Sequence, residues 1–273
     1  FIGDNTSFPI PSSRATMKYP AVLPFSDILP RLHEFDAIID VRSPSEFAED
    51  HLPGAINLPV LDDEQRVRVG TLYKQTSAFE AKKLGAALIA KNIARHIEDG
   101  LIAHPHSWSP LVYCWRGGNR SGAMAHILAR IGWPVTQLDG GYKDYRRHVN
   151  AELATLPERF DFINVLCGPT GSGKSRLLQV LDSQGAQVID LEDLAAHRGS
   201  VLGGLPDADQ PSQKAFESAL WQQLRHFDPT LPVFIESESK KVGRLRVPDA
   251  LMDKMRAADC TDVRLDTDQR VQL

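Results

Sequence analysis

The chain has 273 residues, a length that accommodates two domains. Its apolar fraction of 42% and charged fraction of 24% are those of an ordinary globular protein, and a net charge of −4 excludes a generally basic surface, so any nucleic-acid site has to be a local patch. Three cysteines, Cys114, Cys167 and Cys260, lie far apart without a CxxC pair, which argues against a disulfide framework and for a reducing compartment.

The longest apolar stretch, LGAALIAKNIA, is broken by Lys91 and falls short of the roughly 18 residues a membrane span needs. Residues 1–16, FIGDNTSFPIPSSRAT, lack the basic-then-apolar order of a signal peptide and read as a disordered or appended leader before Met17. From Phe35, FDAIIDVRS is an apolar run of strand type ending in an acid and a base. HLPGAINLP is a second strand, punctuated by Pro53-Gly54 and Pro59. AKKLGAALIAKNIARHIEDG places Leu84, Leu88, Ile89, Ile93 and Ile97 on one helical face, with Gly100 as C-cap. PLVYC (strand), RSGAMAHILARIGW (helix) and VTQLDGG (strand and turn) follow, and the alternation predicts a parallel α/β sheet over residues 17–148.

YKDYRRHVNAELATLPERF, charged and without a long apolar run, reads as a closing helix and a linker over 149–159. A second α/β alternation occupies 160–273: DFINVLCG (strand), GPTGSGKS (loop), SRLLQVLDSQ (helix), AQVIDLEDL (strand into helix), QKAFESALWQQLRHF (helix) and PVFIESES (strand). KKVGRLRVPDALMDKMRAAD is expected to be a loop and a helix. Only about three strands are legible here and VRLDTDQRVQL carries no closing signal, so the second domain is expected to be partial at its carboxyl end.

Two loops carry chemistry. In YCWRGGNRS, Cys114 ends a buried strand and a glycine-bearing turn leads into a helix, the position where α/β sheets place ligands. Gly117 and Gly118 let successive amides point inward as an anion nest, the helix from Ser121 adds its positive end, and Arg116 and Arg120 bring full charges. Such surroundings favour a thiolate, a nucleophilic sulfur that works on an anionic donor. Cysteine is often simply buried, but two arginines and two glycines in the next six positions favour function. Cys114 to Ser121 meets the Cys-x5-Arg-Ser spacing of tyrosine phosphatases, yet Tyr113 stands where those enzymes usually have histidine. Upstream, DVRSPSEFAEDHLPGAINLP closely resembles the rhodanese signature, with Asp40 and Arg42 as an expected ion pair and His51 as a structural residue.

GPTGSGKS, Gly168 to Ser175, fulfils the P-loop pattern between an apolar strand and a helix bearing Leu177, Leu178, Val180 and Leu181. The amides around Gly168, Thr170, Gly171, Ser172 and Gly173 are expected to surround a polyphosphate, Lys174 to reach it and Ser175 to hold Mg²⁺. Asp190, with Glu236 as the alternative, is the acid expected to hold the metal's water shell. Cys167 reads as core. Lys143, Arg146 and Arg147, with Lys240, Lys241, Arg244 and Arg246, are either solvated faces or phosphate contacts for RNA.

RVRVGTLYKQ, VYCWRGGNRS, LDGGYKDYRRHV, LEDLAAHRGSVLGG, QPSQKAFE and IESESKKVG together resemble the bacterial tRNA 2-selenouridine synthase family from about Asp40 to at least Val247. The resemblance implies a cytoplasmic rhodanese-like domain fused to a P-loop domain and acting on tRNA with 2-thiouridine at the wobble position. It implies that sulfur is replaced by selenium from selenophosphate, delivered by a supplier, through an S-geranyl intermediate made from geranyl diphosphate. Cys114 would then be carrier or nucleophile, the Arg116, Gly117, Gly118, Arg120 and Ser121 cradle would hold the selenium donor, and the P-loop would grip diphosphate, a nucleotide remaining the alternative. Competing readings are a thiosulfate-type sulfurtransferase fused to a small-molecule kinase, and a non-catalytic module with a nucleotide switch and a redox-sensing thiol.

Overall fold

The structure is a computed structural model that describes residues 19–169, 171–197, 203–204, 209–266 and 268; the leader expected over 1–16, Met17 and Thr170 lie outside the described residues. The chain divides into two compact units. The first is built from the chain up to Pro44 with Gly54–Asp144, and the second from Ser45–Pro53 with the chain from Tyr145 onward.

The first unit holds a sheet of β1 (Ala21–Leu23), β2 (Ala37–Asp40), β3 (Ala55–Asn57), β4 (Pro110–Tyr113) and β5 (Thr136–Leu138) in the order β1-β5-β4-β2-β3. Every pairing is parallel. β4 is central and buried at all four positions, as its apolar run PLVY predicts. β1 escapes a periodicity reading because its three residues stand between prolines and none is buried.

Among the helices here are α1 (Phe25–Ile28), α3 (Asp63–Gln75), α4 (Ala78–Asp99) and α5 (Asn119–Ile131); α2 (Pro44–Glu49) straddles the unit boundary. Met124, Ala125 and Leu128 of α5 and Ile93 of α4 pack with Ile39, Val41 and Val112 in one core, which also takes in Cys114. Burying each large aliphatic side chain there is worth about 1.5–3 kcal/mol. The predicted helix 81–100 is α4, capped by the Ser77 hydroxyl at the Phe79 and Glu80 amides. α3 is an addition to the predicted elements: none of its residues is buried, so only a narrow apolar stripe marks it, and a capping box between Asp62 and Gln65 starts it.

α6 (Gly141–Leu153) leads into the second unit, where β6 (Ile163–Cys167), β7 (Gln187–Ile189), β8 (Val233–Glu236) and β11 (Asp259–Asp262) form a sheet of order β11-β6-β8-β7. All its pairings are parallel. α7 (Lys174–Ser183), α8 (Leu191–Leu194), α9 (Gln213–His226) and α10 (Asp249–Ala257) complete the unit with the hairpin β9 (Lys241–Val242) and β10 (Leu245–Arg246). That hairpin replaces the expected loop; Gly243, at φ +60°, makes its turn.

Two expectations are overturned by β11. It is a fourth strand, missed because three of the four residues of DCTD are polar and all four positions are exposed at the sheet edge. Pairing with β6 also sets Cys260 opposite Val165, two residues from Cys167, and brings the two sulfurs within bonding distance of each other. Residues 93 apart in sequence are thus neighbours across one ladder, so wide spacing did not exclude a bond, and Cys167 is half-buried rather than core.

Candidate active site

The cysteine loop leaves the carboxyl end of β4, the middle of the first sheet. Gly117 and Gly118 are both left-handed, at φ +68° and +72°, and this pair curls the backbone into the nest that the sequence predicts. Gly118 is the N-cap of α5 and no side chain caps the helix, which leaves its first amides for an anion. Cys114 is 1% exposed. Its Sγ accepts a hydrogen bond from the Ser121 hydroxyl at 3.3 Å, and Gln137 Nε2 donates to that hydroxyl at 3.2 Å and to the Gly118 carbonyl at 3.4 Å. Arg116 is exposed and Arg120 half-buried.

Gly140 and Gly141, at φ +66° and +58°, form a second turn beneath the first. The Tyr142 amide donates to the Cys114 carbonyl at 2.8 Å and the Lys143 amide to the Trp115 carbonyl at 3.0 Å. Sequence reading did not assign Gln137, Gly140, Gly141 or Tyr142 to the site; the double glycine after a predicted strand was the available signal. Arg42 and Asp40 form the expected ion pair, fully buried with Nη2 to Oδ2 at 2.6 Å, and the guanidinium carbon lies 3.9 Å from the Tyr142 ring centroid. His51 stacks on Phe47 at 3.9 Å between centroids and bonds the Phe47 carbonyl through Nδ1 at 2.9 Å, a structural use.

The second loop joins β6 to α7. Gly168, Gly171 and Gly173 have φ of +143°, +76° and +86°. A Cβ on Gly168 would meet the Val263 carbonyl oxygen at 2.3 Å, so glycine is required by close backbone approach as well as by conformation. Lys174 Nζ folds back to the carbonyls of Gly168 (2.9 Å) and Pro169 (3.3 Å), bonds that a phosphate group would displace. Ser172 is 1% exposed with an unpartnered Oγ, and Ser175, half-buried, lies in the first turn of α7.

Acids end the neighbouring strands. Asp190 follows β7 and caps α8, accepting from the Asp193 amide at 2.8 Å. Glu236 ends β8; its Oε1 accepts from the Glu192 amide at 2.7 Å and its buried Oε2 is unpartnered. Burial, then the Asp190 charge, pushes Glu236 up to about 9, so it is protonated at neutral pH. Burial and the adjoining Glu238 raise Glu192 to about 7, against a smaller pull from Lys174. Among the described residues no three His, Cys, Asp or Glu side chains form a metal cage. A Mg²⁺ held largely by phosphate oxygens and water needs none, and a serine hydroxyl with one strand-end acid fits that pattern.

The basic residues fare unequally. Arg146 is 8% exposed. Its guanidinium donates to Glu217, to Ser218 Oγ at 3.0 Å and to Asn150 Oδ1 at 2.9 Å, with Asp50 at 3.7 Å. The expectation that it contacts RNA is therefore corrected: the buried Asp50 and the half-buried Glu217 already use its charge. Lys143, Lys241, Arg244 and Arg246 are exposed, Lys240 pairs with Asp249 at 2.7 Å and Arg244 donates to the Gln210 carbonyl. Among the described residues no helix is long and apolar enough to cross a membrane.

Comparison with known proteins finds a rhodanese-like domain over residues 26–148 and a tRNA 2-selenouridine synthase AAA domain over 161–273. The tRNA 2-selenouridine synthase of Nitrosomonas europaea is 38% identical over 229 residues, 81% of this chain and 58% of that protein. That of Sulfurovum sp. is 37% identical over 242 residues, 86% of this chain and 64% of its own length. That of Shewanella denitrificans is 35% identical over 260 residues, 92% of this chain and 68% of its own length. The chain spans 58%, 64% and 60% of the first three curated relatives it matches. Identity at this level runs through both loops' domains, and with a Cys114 nest on a rhodanese-like sheet and a P-loop on a second sheet, the chain belongs to the tRNA 2-selenouridine synthase family.

Proposed function

We propose that this chain carries the machinery of a cytoplasmic tRNA-modifying transferase that converts wobble 2-thiouridine to 2-selenouridine. Selenophosphate, from a separate supplier enzyme, is the selenium donor, and S-geranyl-2-thiouridine made from geranyl diphosphate is the intermediate. One observation supports this reading above others: the chain has two glycine-rich loops at strand-to-helix junctions, and only the first carries a free cysteine, Cys114, hydrogen-bonded by Ser121, the cysteine before the second being paired with Cys260. A nest with a thiol suits an anionic selenium donor. A nest without one suits a phosphate leaving group.

In the first step the thiouridine sulfur attacks C1 of geranyl diphosphate, the C1–O bond breaks, diphosphate leaves and the uracil N3 proton is lost. The glycine amides, Lys174 and the first turn of α7 oppose the charge that develops on the departing diphosphate. Ser175 would hold Mg²⁺, and Asp190 its water shell, Glu236 being protonated beside it; the cation supplies further neutralisation of that charge. In the second step selenium of selenophosphate attacks C2, the C2–S bond breaks and sulfur departs as geranyl thiolate, which takes up a proton and leaves more readily than a thione would; water then cleaves the Se–P bond, releasing phosphate and leaving 2-selenouridine. The Cys114 nest raises the local concentration of the anionic donor. Nucleoside mass spectrometry on 2-thiouridine tRNA incubated with the protein, geranyl diphosphate and selenophosphate tests the reading. S-geranyl or selenouridine product is expected; persulfide on Cys114 with ATP turnover and no change in tRNA would favour a sulfurtransferase–kinase fusion instead.

A further inference from the structure

The α3–α4 hairpin is unused by either loop. α3 touches α4 through a narrow stripe, the half-buried Val69 and Leu72, with a Val69 methyl 3.5 Å from the Cβ position of Gly85. Its other faces are exposed. From Arg66 to Lys83 the chain carries five basic residues and one acid, +4 in a protein of net charge −4. Interleaved with those charges are Val67, Tyr73 and Phe79, which are 62%, 59% and 67% exposed. Lys83 lies over the Phe79 ring at 5.1 Å and pairs with Glu80, whereas no salt bridge of Arg68, Lys74 or Lys82 is found among the described residues.

The hairpin is tied to the edge of the sheet that bears Cys114. All five strands are parallel, so the carboxyl ends of β3 and β4 share one edge, and α3 starts after a short connection from β3. Leu58 and Val60 donate to the Asp40 and Val41 carbonyls at 3.0 and 3.2 Å, and Asn92 of α4 clamps the Val60 carbonyl and Gln65 at 3.0 and 2.7 Å.

Exposed aromatics among unpaired cations match a polyanion with unstacked bases: rings stack on bases at about 1–3 kcal/mol each, and Lys and Arg neutralise phosphates. We propose that the exposed side chains of this hairpin, Arg68, Tyr73, Lys74, Phe79 and Lys82, are a docking platform for a single-stranded RNA loop, bringing its base to the Cys114 edge of the first unit. The inference rests on the reading that the substrate is tRNA, and it names where the RNA is held.

The test measures affinity of labelled tRNA for the full chain across a salt series by anisotropy. Arg68→Glu/Lys74→Glu is expected to weaken binding at least about tenfold at 0.15 M salt and to lower the log–log salt slope by about two. Tyr73→Ala/Phe79→Ala is expected to weaken it about tenfold with the slope retained. All four positions are exposed, so thermal midpoints are expected to stay at the wild-type value. Variants that bind tRNA like the wild type overturn the platform alone, and so do variants that alter only self-association. A wild-type chain that retains no tRNA overturns the platform together with the tRNA reading.

Discussion

The Cys114 carbonyl oxygen and Gly141 are in contact: a Cβ added to Gly141 would sit 2.3 Å from that oxygen, and the glycine is left-handed at φ +58°. The loop that carries Cys114 therefore rests on bare backbone. Neither atom is the end of a flexible side chain, so substitution has to move one loop against the other.

Gly141→Ala is expected to lower the melting temperature by several degrees and to slow persulfide loading of Cys114 from thiosulfate, with sulfite leaving, at least about tenfold. Gly117→Ala is the control, because a Cβ there meets nothing within 4 Å and costs only the left-handed strain of about 1–2 kcal/mol. Intact-mass kinetics and thermal scans separate the two. Equal effects would show that contact with Cys114 is not what Gly141 provides.

The two loops divide the proposed reaction. Cys114→Ala is expected to abolish selenation while sparing geranylation, and Lys174→Ala to impair geranylation by about 100-fold while sparing selenation of tRNA that is already geranylated. Product analysis on the two substrates checks this. Loss of both activities in both variants would overturn the division of labour.

Much of both candidate sites was legible because cysteine, glycines and cations are compressed into short stretches, YCWRGGNRS and GPTGSGKS, each at a strand-to-helix junction. What supports them was not legible. Gln137 and Gly141 act on Cys114 and Ser121 across 16 to 27 positions of sequence, and only the fold makes them neighbours. Arg146 sits in a charged helix that reads as a solvated face, and its burial against Asp50 and Glu217 depends on residues 96 and 71 positions away. β11 is a strand by ladder pairing alone: in DCTD a single cysteine among polar residues leaves no periodicity to detect.

Asp40 and Arg42 are both fully buried, joined by Nη2–Oδ2 at 2.6 Å and Nε–Oδ1 at 3.0 Å. Removing one partner strands the other's charge in the core. Arg42→Ala is expected to cost about 3–5 kcal/mol, and Arg42→Ala/Asp40→Ala less than the sum of the single changes. A double-mutant cycle by urea unfolding measures it. Additive losses would mean that the pair is not coupled.

Glu236 sets the pH dependence of the second unit. Its folded value of about 9 exceeds the ordinary glutamate value of 4.5, because burial and the Asp190 charge disfavour its ionised form. Between those values the folded state holds a proton that the unfolded chain has released, so stability falls as pH rises, by up to about 1.4 kcal/mol per pH unit. Glu192, raised to about 7, acts in the same direction over a lower window. Glu236→Gln keeps the shape and the Oε1 acceptor for the Glu192 amide while removing the titration. The wild-type thermal midpoint is therefore expected to decline by up to about 10 °C from pH 5.5 to 8.5, and the variant to flatten that decline and to be the more stable protein at pH 8.5. Parallel profiles for the two proteins would show that Glu236 ionises freely in the folded state, and would return it as a rival to Asp190 for the water shell of a bound cation.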